Sequence, residues 1–140
     1  MSKGLSDHGP LGLQVARTAK AVSRAFDVAL VEAGGNVPTW LILLAVKSGR
    51  AATQRELAAE VGIEGATLTH HLAGLERRGL VAREREGRIQ RVTLTPAGEQ
   101  AFTRLRKAAL AHDTRLRAGL SERDEAQLRK LLARLQDNVT

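Results

Sequence analysis

Six arginines, Arg77, Arg78, Arg83, Arg85, Arg88 and Arg91, fall within fifteen residues, set against the carboxylates Glu76, Glu84 and Glu86. A guanidinium is a planar fork of donors that engages two acceptors at once, which suits phosphates and guanine edges. Just upstream, Thr67, Thr69 and His70 add small groups able to hydrogen-bond phosphates or base edges. This is chemistry for recognising a polyanion rather than for making bonds. No Ser, His and Asp arrangement stands out, and no Gly-rich phosphate loop precedes a helix, so no enzyme is expected. His70 and His71 are adjacent and point about 100° apart on a helix, whereas helical metal-ligand pairs need i, i+3 or i+4 spacing. There is no Cys, which excludes disulfides, thiolate metal sites and thiol redox sensing. No metal and no cofactor are expected.

The elements around these residues decide whether the charge is a recognition surface or an ordinary solvated face. Thr53-Gln54-Arg55-Glu56 has the Thr-x-x-Glu form of a capping box and opens a helix carrying Leu57, Ala58 and Val61. Gly62 stops it. A second helix runs from about Gly65 to Arg78, with Leu68, Leu72 and Leu75 on one apolar face. Ala66, His70, Ala73 and Arg77 then lie opposite, with Thr69 at the edge. Gly79 closes this helix. Two strands follow, Val81 to Arg85 and Gln90 to Thr95, with Val92 and Leu94 facing in and Arg91 and Thr93 facing out. Arg85-Glu86-Gly87-Arg88 is the turn, with Gly87 supplying the unusual backbone angles. Helix, turn, helix and hairpin make a winged helix-turn-helix, whose second helix enters a DNA major groove. On such a motif a basic stripe reads as an electrostatic footprint.

The flanks are helical. Leu11, Val15, Val22, Phe26, Ala29 and Ala33 form one stripe of a first helix, with Leu13 and Val31 opposite, so that helix needs burial on two sides. Asn36 caps a nearly all-apolar second helix with Pro38 in its first turn. Lys47 to Ala52 is a loop, and Ala51-Ala52 can add a short strand to the wing. Thr95 and Pro96 start a helix that reaches about Ala118, with Ala101, Leu105, Ala108, Ala109 and Leu116 on one face. Ser121-Glu122-Arg123-Asp124 caps a last helix carrying Leu128, Leu131, Leu132, Leu135 and Val139. Residues 1–10 read as a flexible tail, 11–35 and 96–140 as a helical dimerisation region, and 36–95 as the winged helix-turn-helix. The expected fold is mainly α with a small β-hairpin wing.

Glu56-Leu57-Ala58, Thr67-Leu68-Thr69, Leu75-Glu76, Gly79-Leu80-Val81 and Val92-Thr93-Leu94-Thr95-Pro96-Ala97-Gly98, taken in order, resemble the MarR family of bacterial transcriptional regulators. The family's wing pattern is met by Glu86, Arg88, Val92, Leu94 and Thr95 in register. The chain departs from it with Glu86 for the usual Asp, a hairpin about three residues short, and Glu64 where Ser often caps the recognition helix. The resemblance implies that Arg88 enters the minor groove. It also implies an effector site for a small aromatic or phenolic anion between the DNA-binding lobe and the dimer helices. Trp40 is either a core residue or a wall of that site. His112, on the apolar face between Leu105 and Leu116, is either a satisfied interface residue or a ligand contact.

The formal net charge is +7, and 17 of the 22 basic residues are Arg. The only aromatics, Phe26, Trp40 and Phe102, sit on apolar helical positions. Single-strand binders offer aromatic platforms for stacking, so duplex DNA is the expected partner. The longest apolar run, Trp40 to Val46, is too short to span a bilayer, and no signal pattern opens the chain, so a cytoplasmic protein is expected. These readings converge on a homodimeric, sequence-specific DNA-binding regulator of a palindromic operator, a repressor relieved by a small effector. Thr67, Thr69, His70, Arg77, Arg83, Arg85, Arg88 and Arg91 are the candidate DNA contacts. An architectural DNA-binding protein and a winged-helix protein-interaction module are the alternatives.

Overall fold

The computed structural model describes residues 9–49 and 51–140. The tail expected over 1–10 therefore falls, up to residue 8, outside the described residues. Among the described residues six helices and one hairpin follow in order: α1 Leu11–Glu32, α2 Val37–Ser48, α3 Gln54–Val61, α4 Gly65–Arg77, β1 Val81–Glu86, β2 Ile89–Leu94, α5 Pro96–Leu116 and α6 Glu122–Val139.

The helix boundaries follow from their caps. The Asn36 side chain accepts from the Thr39 amide at 2.9 Å and starts α2. Thr95 accepts from the Gly98 amide at 3.0 Å and starts α5. Ser121 and Asp124 form a reciprocal capping box on α6. At α3 the expected box is only half made. Thr53 accepts from the Glu56 amide, but the Glu56 carboxylate receives the Thr53 hydroxyl proton at 2.8 Å instead of turning back to the Thr53 amide. Glu64, in the cap position of α4, makes no side-chain cap bond, so α4 starts less firmly than its neighbours.

The core lies where α2 crosses the winged motif. Ile42 and Leu43 of α2 pack with Leu57 of α3, with Leu68 and Leu72 of α4, and with Val92 of β2, all buried. This places α2 centrally, as its nearly continuous apolar sequence requires. The expected α4 face of Leu68, Leu72 and Leu75 is buried as a unit. In α1 the expected stripe needs correction. Leu30, off that stripe, is the fully buried residue, whereas Leu11 and Val15 are exposed. Only the C-terminal half of α1 reaches the core. Phe102, expected on an apolar helical position though not named on the α5 face, is buried and stacked on Trp40 with ring centroids 5.6 Å apart.

The hairpin pairs Val81 with Leu94 through Glu86 with Ile89, leaving Gly87-Arg88 as a two-residue turn. The turn is tighter than the four-residue one expected. Gly87 has φ +60° and Arg88 does not have positive φ, the pattern of a type II′ turn with glycine first. The chain entering α3 joins the sheet. Val92 donates to the Ala52 carbonyl at 3.0 Å, and a bridge pairs Thr53 with Arg91. The third strand anticipated at Ala51-Ala52 is thus a single bridge one residue later, with Ala51 buried beneath it. Among the described residues no single helix is long and apolar enough to cross a membrane.

Candidate nucleic-acid interface

Helix α4 is buried on one side and open on the other. Because Leu68, Leu72 and Leu75 face the core, the helical period leaves Ala66, Thr67, Thr69, His70 and Arg77 exposed. His71 is half-buried, with its ring 6.0 Å from that of His70 and tilted to it. Gly74 lies inside α4, where a glycine can permit close approach of a neighbouring element. A Cβ there would meet only the far end of Arg77, at 3.8 Å, so no element presses on it.

An open groove of about 1040 Å³ runs between the starts of α3 and α4 and the wing, lined among others by Gln54, Arg55, Thr69, Arg83, Arg85 and Gln90. The structure brings Thr69, Arg83 and Arg85 together here. Gln54, Arg55 and Gln90 were not anticipated. Gln54 and Arg55 occupy the first turn of α3, and their position inside the capping pattern was the one available signal. The Thr69 hydroxyl donates to the Gly65 carbonyl at 2.9 Å and accepts from Gln54 Nε2 at 2.6 Å.

The arginines divide by strand alternation. Arg83 lies opposite Val92 in the register and so shares the inward face of the hairpin. Its side chain is 19% exposed, and its Nη2 lies 2.8 Å from Glu76 Oε1 on α4. Its Nε is buried without a hydrogen-bond partner. The hydrogen bond from Arg83, more than its charge, holds the Glu76 carboxyl below the usual carboxylate range. Arg91 faces outward and reaches diagonally across the hairpin, its Nε 2.8 Å from Glu86 Oε2. That hydrogen bond, followed by the Glu86 charge, raises the Arg91 pKa further above its ordinary value. Arg85 Nε donates to the Gly87 carbonyl at 3.2 Å, which braces the turn. Arg88 stands exposed at the tip. Arg77 and Arg78 are exposed at the end of α4, and Arg78 Nη2 reaches the Gly34 carbonyl at 3.4 Å. Two of the six arginines thus stiffen the wing with carboxylates of this chain.

The two effector candidates are set apart. Trp40 is buried against Phe102, whereas His112 is half-buried with its ring 5.0 Å from Phe26. Ten residues of α5 separate Phe102 from His112, roughly 15 Å along the helix. Among the described residues no three His, Cys, Asp or Glu side chains converge as a metal site would require.

Comparison with known proteins matches residues 34–91 to the MarR family model. YdgJ of Bacillus subtilis, an HTH-type transcriptional regulator, is 31% identical over 90 residues, 62% of this chain and 55% of that protein, so the match spans about half of YdgJ. The solved structure of the transcriptional regulator PA3341 is 33% identical, with TM-score 0.72, over 91% of this chain and 96% of that one. CouR from Rhodococcus jostii RHA1, solved with p-coumaroyl-CoA, is 26% identical with TM-score 0.74, over 94% of this chain and 93% of that one. The repressor CouR bound to a 23-mer DNA duplex gives TM-score 0.77 at 26% identity, over 90% and 92% of the two chains. With a winged helix-turn-helix flanked by long terminal helices and relatives matched over nearly its whole length, this chain belongs to the MarR family of transcriptional regulators.

Proposed function

We propose that the chain acts as a homodimeric repressor that binds a palindromic duplex operator and releases it when a small aromatic or phenolic effector binds. The observation that carries this reading is the polarity of α4. Its leucine face is locked into the core while Thr67, Thr69, His70 and Arg77 are held outward beside a wing tipped by Arg88. Recognition is the whole of its activity, without catalysis. Residues 36–95 form the DNA-binding region. Thr67, Thr69 and His70 address the major groove, Arg77 the flanking backbone, and Arg88 the minor groove. Arg85 neutralises phosphate beside the turn. Arg83 and Arg91 add charge to the same field; the pair of Arg83 with Glu76 on α4 also sets the angle of the wing, and the pair of Arg91 with Glu86 stiffens the hairpin itself.

Residues 11–35 and 96–140 form the dimer lobe. In support, α6 buries no residue in the single chain and exposes Leu128, Leu131, Leu132 and Val139, while α1 exposes Leu11, Leu13, Val28 and Val31. Apolar surface on that scale calls for a partner, and a two-fold dimer mirrors a palindrome. The effector lies between this lobe and the winged motif, with the half-buried imidazole of His112 as its contact, while Trp40, buried against Phe102, serves the core. It shifts operator affinity by favouring one spacing of the two lobes.

The test is to retain genomic duplex fragments on the protein, then titrate the retained sequence against rising salt. Specific binding should fall linearly on a double-logarithmic plot as counterions are released. Affinity that ignores salt would point instead to a winged-helix module for protein partners. Equal affinity for bulk DNA would point to an architectural role.

A further inference from the structure

We propose that Gln54, which lies outside the recognition helix, makes Thr69 a reader of exocyclic amino groups. Thr69 then selects adenine or cytosine at one base pair of each half-site. This inference rests on the duplex-DNA reading above.

A threonine hydroxyl has one hydrogen to give and two lone pairs to receive. The hydrogen of Thr69 goes to the Gly65 carbonyl at 2.9 Å, one turn back in α4. One lone pair is taken by Gln54 Nε2 at 2.6 Å. A single lone pair remains, so the group as held can only accept. Phosphate oxygens only accept as well, and a backbone contact through this hydroxyl is therefore excluded while the arrangement lasts. Guanine N7 and O6 and thymine O4 are excluded for the same reason. The major-groove partners that remain are the N6 amino group of adenine and the N4 amino group of cytosine.

The arrangement is held from both sides. Gln54 is the first residue of α3, and Thr53 before it caps that helix onto the Glu56 amide at 3.2 Å. Gly65, whose carbonyl takes the Thr69 hydrogen, has no side chain and nothing near where one would stand, so the start of α4 is open beside Thr69. Both Gln54 and Thr69 line the open groove between α3, α4 and the wing. Gln54 is thus a positioning residue. It fixes the polarity of a contact made by another side chain.

The experiment is selection from a randomised duplex library by the full chain, the wild type alongside Thr69→Val, Thr69→Ser and Gln54→Ala, each checked for an unchanged helical circular dichroism spectrum. The wild type should enrich adenine or cytosine at one position of each half-site. Reversing that base pair in the enriched duplex should weaken wild-type binding roughly tenfold. Thr69→Val keeps the shape and loses the hydroxyl, so its ratio at that position should collapse to about one while the other positions keep theirs. Thr69→Ser should retain the preference. Gln54→Ala frees the lone pair and lets the hydroxyl turn, and should flatten the same position and no other. A tie that merely joined two helices would weaken all duplexes alike. Unchanged ratios in Thr69→Val and Gln54→Ala therefore overturn the proposal while leaving DNA binding intact. A wild-type chain that enriches no duplex gives a different result, which removes the duplex-DNA reading and this inference with it.

Discussion

Among single residues, two glycines have opposite reasons to be glycine. A Cβ at Gly98 would lie 1.9 Å from the Leu80 carbonyl oxygen, a backbone atom that cannot turn aside. Gly98→Ala should therefore destabilise the fold by at least the roughly 1–3 kcal/mol typical of overpacking. Gly74 sits in the middle of α4 with open space around it. Gly74→Ala should stabilise by about 0.5–1 kcal/mol, because alanine loses less backbone freedom on entering a helix. Urea unfolding of the two variants reads both, and the opposite order of midpoints would contradict the packing described. Glu76 gives a titration. Its carboxyl is held below the ordinary range by Arg83, so the pair's contribution is present above the ordinary glutamate pKa. It is lost as the pH falls through the lowered value. Carbon-detected NMR should find the Glu76 midpoint below those of unpaired glutamates, and Arg83→Ala should return it to them. The outward set on α4 was legible because three leucines at helical spacing leave one possible polar face. The inward place of Arg83 was legible in principle, since Val81 points in and strands alternate. The sequence names Arg83 only as a DNA contact, because its carboxylate partner Glu76 lies on another element and nothing in the spacing pairs them.

For the elements, the caps and glycines made nearly every boundary readable. Gly62, Gly79 and Gly119 adopt the positive φ that their places after helices demand, and the helices end within two residues of expectation. The wing was placed correctly but ends differ by a residue, because Glu86 and Ile89 pair and shorten the turn to Gly87-Arg88. What periodicity could not show was which half of α1 is buried. Leu11 and Val15 continue the apolar stripe, yet they extend past the end of the core. The short wing makes a direct prediction. Arg88 follows Gly87 at the tip, where a narrow minor groove would attract its charge. Arg88→Ala should weaken binding most on operators with A·T-rich flanks, as fluorescence anisotropy on paired duplexes would read. A uniform loss, with the salt slope lowered by about one unit, would place Arg88 on phosphate instead.

On the scale of the whole molecule, one core joins the winged motif to α2, α5 and the C-terminal half of α1, and α6 stands outside it. Ile42, Leu43, Leu57, Leu68 and Leu72 are fully buried within one chain, whereas α6 has no buried residue at all. That asymmetry was visible in the sequence as a surplus of apolar stripes, and a second copy of the chain was the cover expected for them. A homodimer should sediment at twice the chain mass of 15.1 kDa at micromolar concentration. Leu131→Glu with Leu128→Glu should yield a monomer whose winged motif still folds. Two recognition helices related by a two-fold axis then address major grooves about one helical turn apart. Such a dimer depends on the spacing of the half-sites. The duplex enriched by the wild-type chain is remade with about 5 bp inserted between its half-sites, roughly half a turn, which turns the two halves to opposite faces of the DNA. For a two-fold dimer, affinity should drop to the level of bulk DNA. Affinity unchanged by the insertion would contradict the two-fold arrangement.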